Sequence, residues 1–216
     1  VCHRPGEAVP MALTSYEQIH PWAKSIRTMV ETRKMPPWHA DPRIGKWEND
    51  RRLSDRDITT ILRWIDQETP RGNPQDAPEP PVFTDGWKIG EPDTVFTAMR
   101  QTLPADLEDE YRYVFVPTGF TKDRWISAAE IRPGNMNVVH HVIVFSADPT
   151  QGRNGLGGSL GGYAPGAPPL ILDKGRAMKI PAGAVLVLQM HYHKEPGTLE
   201  TDETIIGLKF AKETVT

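Results

Sequence analysis

The sequence predicts an α + β chain of two domains, a small all-α domain followed by an antiparallel, jelly-roll-like β-sandwich. Three observations carry that prediction. Through the first seventy or so residues apolar side chains recur at helical spacing. A proline-rich connector follows, densest over Thr69–Pro81 as Thr-Pro-Arg-Gly-Asn-Pro-Gln-Asp-Ala-Pro-Glu-Pro-Pro, a composition that makes a semi-rigid spacer. Beyond it the apolar period changes to two, with Gly, Pro and Asp turns between short runs and no strong helical pattern among them. The chain divides accordingly into residues 1–75, a linker over 76–84 and a sandwich over 85–216.

Each element has a local reason. Ser15 can cap a short helix, and Pro21 suits the first turn of a second one carrying Trp22, Ile26, Met29 and Val30 on one face. Ser54 and Asp57 form a capping-box-like start before Ile58, Ile61, Leu62 and Ile65 at helical spacing. Between the two lies Arg33-Lys34-Met35-Pro36-Pro37-Trp38, which its paired prolines keep out of any helix. Predicted strands are Tyr111–Val116, Trp125–Ile131, Val138–Phe145, Val185–His193 and Thr204–Phe210. The glycine-rich stretch Gly152–Gly166 reads as a long mobile surface loop. Its glycine spacing misses the dinucleotide fingerprint, and no Gly-Lys-Ser/Thr follows.

Composition removes several function classes. With 38% apolar and 25% charged residues over 216 positions, a real core can be buried. A net charge of −3 provides no broad positive field, which excludes nucleic acid as the expected partner. No window approaches the roughly 18 consecutive apolar residues of a membrane span. The single cysteine excludes an internal disulfide. The sequence opens on Val1-Cys2-His3 without a signal peptide, as though an upstream segment had been removed.

Cys2-His3-Arg4-Pro5-Gly6 reads as the tail of a Cys-x-x-Cys-His haem-attachment motif whose first cysteine would precede residue 1. In such a site the histidine takes one axial iron position and a methionine the other, and Met35 in its stiff Pro-Pro segment is the natural candidate. The bland alternative is a chance Cys-His pair, with Met35 and Trp38 as core. Cys-His-x-Pro-Gly, Pro10-Met11, Pro21-Trp22-Ala23, Met35-Pro36-Pro37-Trp38 and Asn49-Asp50-Arg51 together resemble a family of small bacterial cytochrome c domains over most of residues 1–75. The resemblance implies haem c bound through Cys2, with His3 and Met35 as axial ligands, and hence a bacterial periplasmic or extracellular location. That pattern's upstream cysteine falls outside the sequence, leaving single-thioether attachment, a trimmed terminus or loss of haem open.

The second constellation lies in the strands. One apolar run carries His140-His141 and another ends in His191-Tyr192-His193, although imidazoles are costly to bury dry. Imidazole nitrogens converging on rigid β-structure suit copper or zinc. Alternation places His191 and His193 on one face and splits His140 from His141, so simple geometry predicts His191, His193 and one of the pair. A bulge could instead bring both members of the pair to one ion.

Val139-His140-His141-Val142, followed by Leu188-Gln189-Met190-His191-Tyr192, resembles the first half of the copper type II, ascorbate-dependent monooxygenases, which include the peptidylglycine α-hydroxylating and dopamine β-monooxygenases. Gly162–Pro168, Leu172–Gly175, Ile180–Gly183 and Ile206-Gly207-Leu208 extend the similarity over roughly Val114 to Lys212. The resemblance implies an electron-transfer copper held by His140, His141 and His191, with His193 a neighbour. It also implies a second, oxygen-activating copper domain or subunit. None of Met136, Met178 and Met190 has the context of that second site.

Other chemistry is weaker. Asp106, Glu108, Asp109 and Glu110 read as a solvated acidic loop, and no serine sits in a nucleophile elbow. Trp87, Tyr111, Tyr113 and Trp125 read as packing. The expected function is thus the electron-input part of a copper-dependent monooxygenase, supplied by an electron-donor protein or small reductant and completed by a second copper domain. A non-catalytic haem and copper electron-transfer or partner-binding module is the alternative, and a three-histidine zinc hydrolase ranks third.

Overall fold

A computed structural model describes residues 2–5, 9, 11–41, 43–79, 82–83 and 86–212. The chain forms two compact units, His3–Pro81 and Val82–Thr216, the latter grouped with Val1–Cys2. The boundary falls within the predicted linker, of which residues 80, 81 and 84 lie outside the described set.

In the smaller unit α1 (Tyr16–Ile19) is capped by Ser15, whose hydroxyl accepts the Gln18 N–H. A 3₁₀ turn over His20–Trp22, with Pro21 in its first turn, leads into α2 (Ala23–Glu31). Of the predicted apolar face of α2, Val30 alone is buried. The start of α3 (Asp55–Asp66) is a complete capping box: Ser54 Oγ accepts the Asp57 N–H, and the Asp57 carboxylate accepts the Ser54 N–H. Residues 35–38 are non-helical, as the prolines require.

The larger unit is entirely antiparallel. Its strands are β1 (Thr94–Thr97), β2 (Gln101–Leu103), β3 (Asp109–Pro117), β4 (Arg124–Arg132), β5 (Val139–Ala147), β6 (Leu156–Tyr163), β7 (Leu170–Ile171), β8 (Met178–Ile180), β9 (Val185–His193), β10 (Glu200–Asp202) and β11 (Ile205–Phe210). One sheet runs β1-β11-β4-β7 with β8 also on β4, another runs β3-β9-β5-β6, and β2 pairs with β10 as a small ribbon. Ile126, Ile131, Ile206 and Leu208 from the first sheet share one core with Val114, Val142, Leu186, Leu188 and Met190 from the second. That shared core makes the two sheets a sandwich.

The glycine-rich stretch corrects the expectation of a mobile loop. After a 3₁₀ segment at Pro149–Gly155 it becomes the edge strand β6, and Leu160 within it is fully buried. Glycine serves a close backbone approach here: a Cβ at Gly162 would sit 2.1 Å from the Val142 carbonyl oxygen. No helix among the described residues is long and apolar enough to cross a membrane.

Candidate metal centre

The site is built on the outer face of the β3-β9-β5-β6 sheet. On β9, Leu186, Leu188, Met190 and Tyr192 point into the core, so Gln189, His191 and His193 point away from it. On β5 the core-facing residues are Val139, Val142 and Val144, one residue too far apart for strict alternation at the start. The register with β9 shifts between Val139 and His141, where Val139 faces Tyr192 and His141 faces His191. This bulge is why two sequential histidines reach one side of the sheet.

His140, His141 and His191 offer ring nitrogens that all lie within 4.8 Å of one another. Nδ1 of His141 is 3.2 Å from Nδ1 of His140 and 3.2 Å from Nδ1 of His191. The three ring planes are mutually tilted, at 65°, 68° and 65°. Three nitrogens bound at about 2.0–2.1 Å in near-tetrahedral geometry would stand about 3.3 Å apart, so the observed spacing fits a small cation. One proton on Nδ1 of His141 can satisfy only one of its two nitrogen neighbours, whereas a cation satisfies all three lone pairs. The donor set therefore fits a borderline-soft metal.

β3 holds the site without contributing a ring to it. Tyr111 is paired opposite His191 and stacks on it, ring centroids 4.2 Å apart and planes 3° from parallel. Asp109, paired opposite His193, places Oδ2 3.0 Å from Nε2 of His191 and 3.2 Å from Nδ1 of His193. The His191 hydrogen bond, with a smaller one from His193, holds the Asp109 carboxyl below the ordinary range. Burial, then the neighbouring His191 and His140, hold the His141 imidazole below the ordinary value of 6.5. His193 is thus tied to Asp109 and lies outside the converging trio.

Behind the sheet a buried carboxylate ties both histidine-bearing strands together. Asp202 Oδ1 accepts the backbone N–H groups of Gly134 (2.8 Å) and Asn135 (3.0 Å), in the turn that feeds β5. Its Oδ2 accepts the Tyr192 hydroxyl at 3.1 Å and the Thr204 hydroxyl at 2.8 Å. Burial first, then the Asp202 charge, push the Tyr192 phenol well above its usual range.

One reading of the residues is corrected here and another made finer. Asp109 belongs to a strand and bonds two imidazoles, and Glu110 pairs with Arg112, so the acidic run is only partly a solvated loop. Tyr111 and Tyr113 are more than half exposed and Trp125 nearly so, which puts these three at the rim of the sandwich rather than in its core. Both faces of β3 are apolar, and the core took the aliphatic one, Val114 and Val116. An acidic residue at the start of a strand, in phase with the aromatic run Tyr111, Tyr113 and Phe115, was the signal available for Asp109.

In the smaller unit, His3 places Nδ1 3.3 Å from the Met11 carbonyl oxygen, which leaves Nε2 for another partner. Cys2 is a half-buried free thiol, and the Met35 side chain is 40% exposed. Trp38 Nε1 is buried with no hydrogen-bond partner among the described residues. Trp22, Met29, Ile44 and Trp47 also leave much of their surface exposed. These features fit a large apolar group with polar edges, as haem is. Among the described residues, His140, His141 and His191 are the sole trio of His, Cys, Asp or Glu side chains brought to ligand spacing. No protein-family model matches the sequence, and no curated protein matches it.

Proposed function

We propose that this chain is the electron-input part of a copper-dependent monooxygenase, with copper at His140, His141 and His191 and haem c at Cys2, His3 and Met35. The convergence of His140 and His191 on His141, each Nδ1 3.2 Å from Nδ1 of His141 and all three rings offering nitrogens within 4.8 Å, carries the copper reading. Copper in such a site supplies one-electron chemistry between Cu(I) and Cu(II). His140 is exposed, so the centre is open to a donor or acceptor on the outer face of the sheet. The contact of His3 Nδ1 with the Met11 carbonyl leaves Nε2 as the nitrogen that would hold the iron. Trp38 Nε1 would donate to a polar edge of the bound group.

Oxygen activation and C–H hydroxylation are assigned to a second copper domain or subunit. Covalent haem would place the protein in the bacterial periplasm or outside the cell. Metal analysis and electron paramagnetic resonance of the purified chain test the copper reading. One Cu(II) per chain, lost in His141→Ala with the visible spectrum unchanged, is the expected result. Full copper in that variant removes His141 from the ligand set, and zinc alone at the site redirects the assignment to hydrolytic chemistry. Met35→Ala should open the iron to carbon monoxide or imidazole; an unchanged spectrum would mean a different sixth ligand.

A further inference from the structure

We infer that Asp109 is the positioning residue of the histidine centre, fixing by its hydrogen bond to Nε2 of His191 which nitrogen that ring presents to the metal. The inference rests on the copper reading above and adds a residue to it.

A neutral imidazole carries one N–H and one lone pair, and the partner of one nitrogen decides which is which. Oδ2 of Asp109 lies 3.0 Å from Nε2 of His191, so the proton sits on Nε2 and the lone pair on Nδ1. Nδ1 is the atom that lies 3.2 Å from Nδ1 of His141. Tyr111, stacked flat against the ring at 4.2 Å, holds the plane in which that nitrogen is presented. Both constraints come from β3, whose residues Asp109 and Tyr111 share one face and flank the same imidazole. His191 is held with only 12% of its side chain exposed.

No other ligand is treated this way. Among the described residues no carboxylate bonds His140 or His141, whose ring nitrogens meet only imidazole nitrogens. A carboxylate that accepts the Nε2–H strengthens the opposite nitrogen as a donor to a metal, which favours Cu(II) over Cu(I). The same Oδ2 engages His193 through Nδ1 at 3.2 Å, which occupies that nitrogen and keeps it out of the ligand set.

The test is Cu(II) and Zn(II) affinity, the Cu(II) resonance spectrum and the copper reduction potential in the full chain. Asp109 is 56% exposed, so its replacement leaves the core untouched, and circular dichroism checks that the fold is retained. Asp109→Ala should weaken Cu(II) and Zn(II) binding by about tenfold to hundredfold and alter the copper hyperfine pattern. Each tenfold loss at unchanged Cu(I) affinity raises the potential by about 59 mV. Asp109→Asn, which keeps an acceptor oxygen without the charge, should fall between. His193→Ala should stay within about threefold of the unaltered chain, because His191 keeps its partner.

Asp109→Ala binding as tightly as the unaltered chain, with an unchanged potential, overturns the inference while leaving the copper site standing. So does a loss in His193→Ala as large as in Asp109→Ala. Failure of the unaltered chain to take up stoichiometric copper would instead remove the copper reading and this inference with it.

Discussion

The two units of this chain are stabilised by different means. The sandwich holds nearly every fully buried apolar side chain among the described residues, including Leu188, Leu208, Ile126 and Leu160 in one contiguous core. Val30 is the one buried apolar residue among the described residues of the helical unit. Surface ion pairs link the helical segments there: Arg27 of α2 with Asp66 of α3, and Arg33, just past α2, with Asp55 of α3, both 2.5 Å long. Exposed pairs contribute little, about 0–1 kcal/mol each. A scaffold with its own core can hold three imidazoles in place before a metal arrives. A unit with so little buried depends more on its local capping and ion pairs for stability.

That contrast can be broken by measurement. The largest effect is expected in the shared core: Leu188→Ala should cost about 2–5 kcal/mol in chemical denaturation of the sandwich. Ile61→Ala in α3, only half-buried, should cost less than half as much, and equal losses would erase the distinction.

Next comes the buried carboxylate that spans the ligand strands. Asp202→Ala strands two backbone N–H groups and two hydroxyls, so a loss of about 2–4 kcal/mol is expected. Because Asp202 anchors the turn before β5 and Tyr192 on β9, copper affinity should fall along with stability. Full affinity in the variant would mean that the bulge alone holds the histidines.

Arg27→Ala should cost the helical unit about 0.2–1 kcal/mol, a loss that shrinks with added salt. A larger, salt-insensitive loss would show that the pair is more than a surface contact.

The finest contrast is in pH. Folding lowers the proton affinity of His141 below the ordinary 6.5, so the unfolded chain binds more protons just below that value. Stability of the metal-free sandwich should therefore fall as pH drops below 6.5 and be insensitive to His141 above it. A capping-box carboxylate acts lower: Asp57, depressed by the Ser54 side chain, supports α3 above its ordinary 3.8 and loses that support on further acidification. Denaturation curves at about pH 7.5 and pH 5.5 for the chain and for His141→Gln check the first claim; identical acid losses would refute it.

Much of this architecture was legible locally. The Ser54–Asp57 box, the Pro21 turn, the connector before Val82 and the strand Val185–His193 follow from nearest-neighbour chemistry, and the structure has them there. The misreadings share a cause. Gly152–Gly166 looked like a loop because glycine lacks strand propensity, yet β6 exists because β5 accepts a partner that close. Asp109 looked solvated because its partners are 82 and 84 residues away.

By itself the sequence determined which residue types were available and their periods: helical then alternating, with imidazoles in runs where packing has no use for them. Tertiary structure alone decided which face of β3 is buried, that a bulge turns His140 and His141 to one side, and that Asp109 and Tyr111 meet His191. The reason is physical. Alternation defines two faces of a strand but does not say which one meets the core, and register between strands distant in sequence is set by the sum of their pairings.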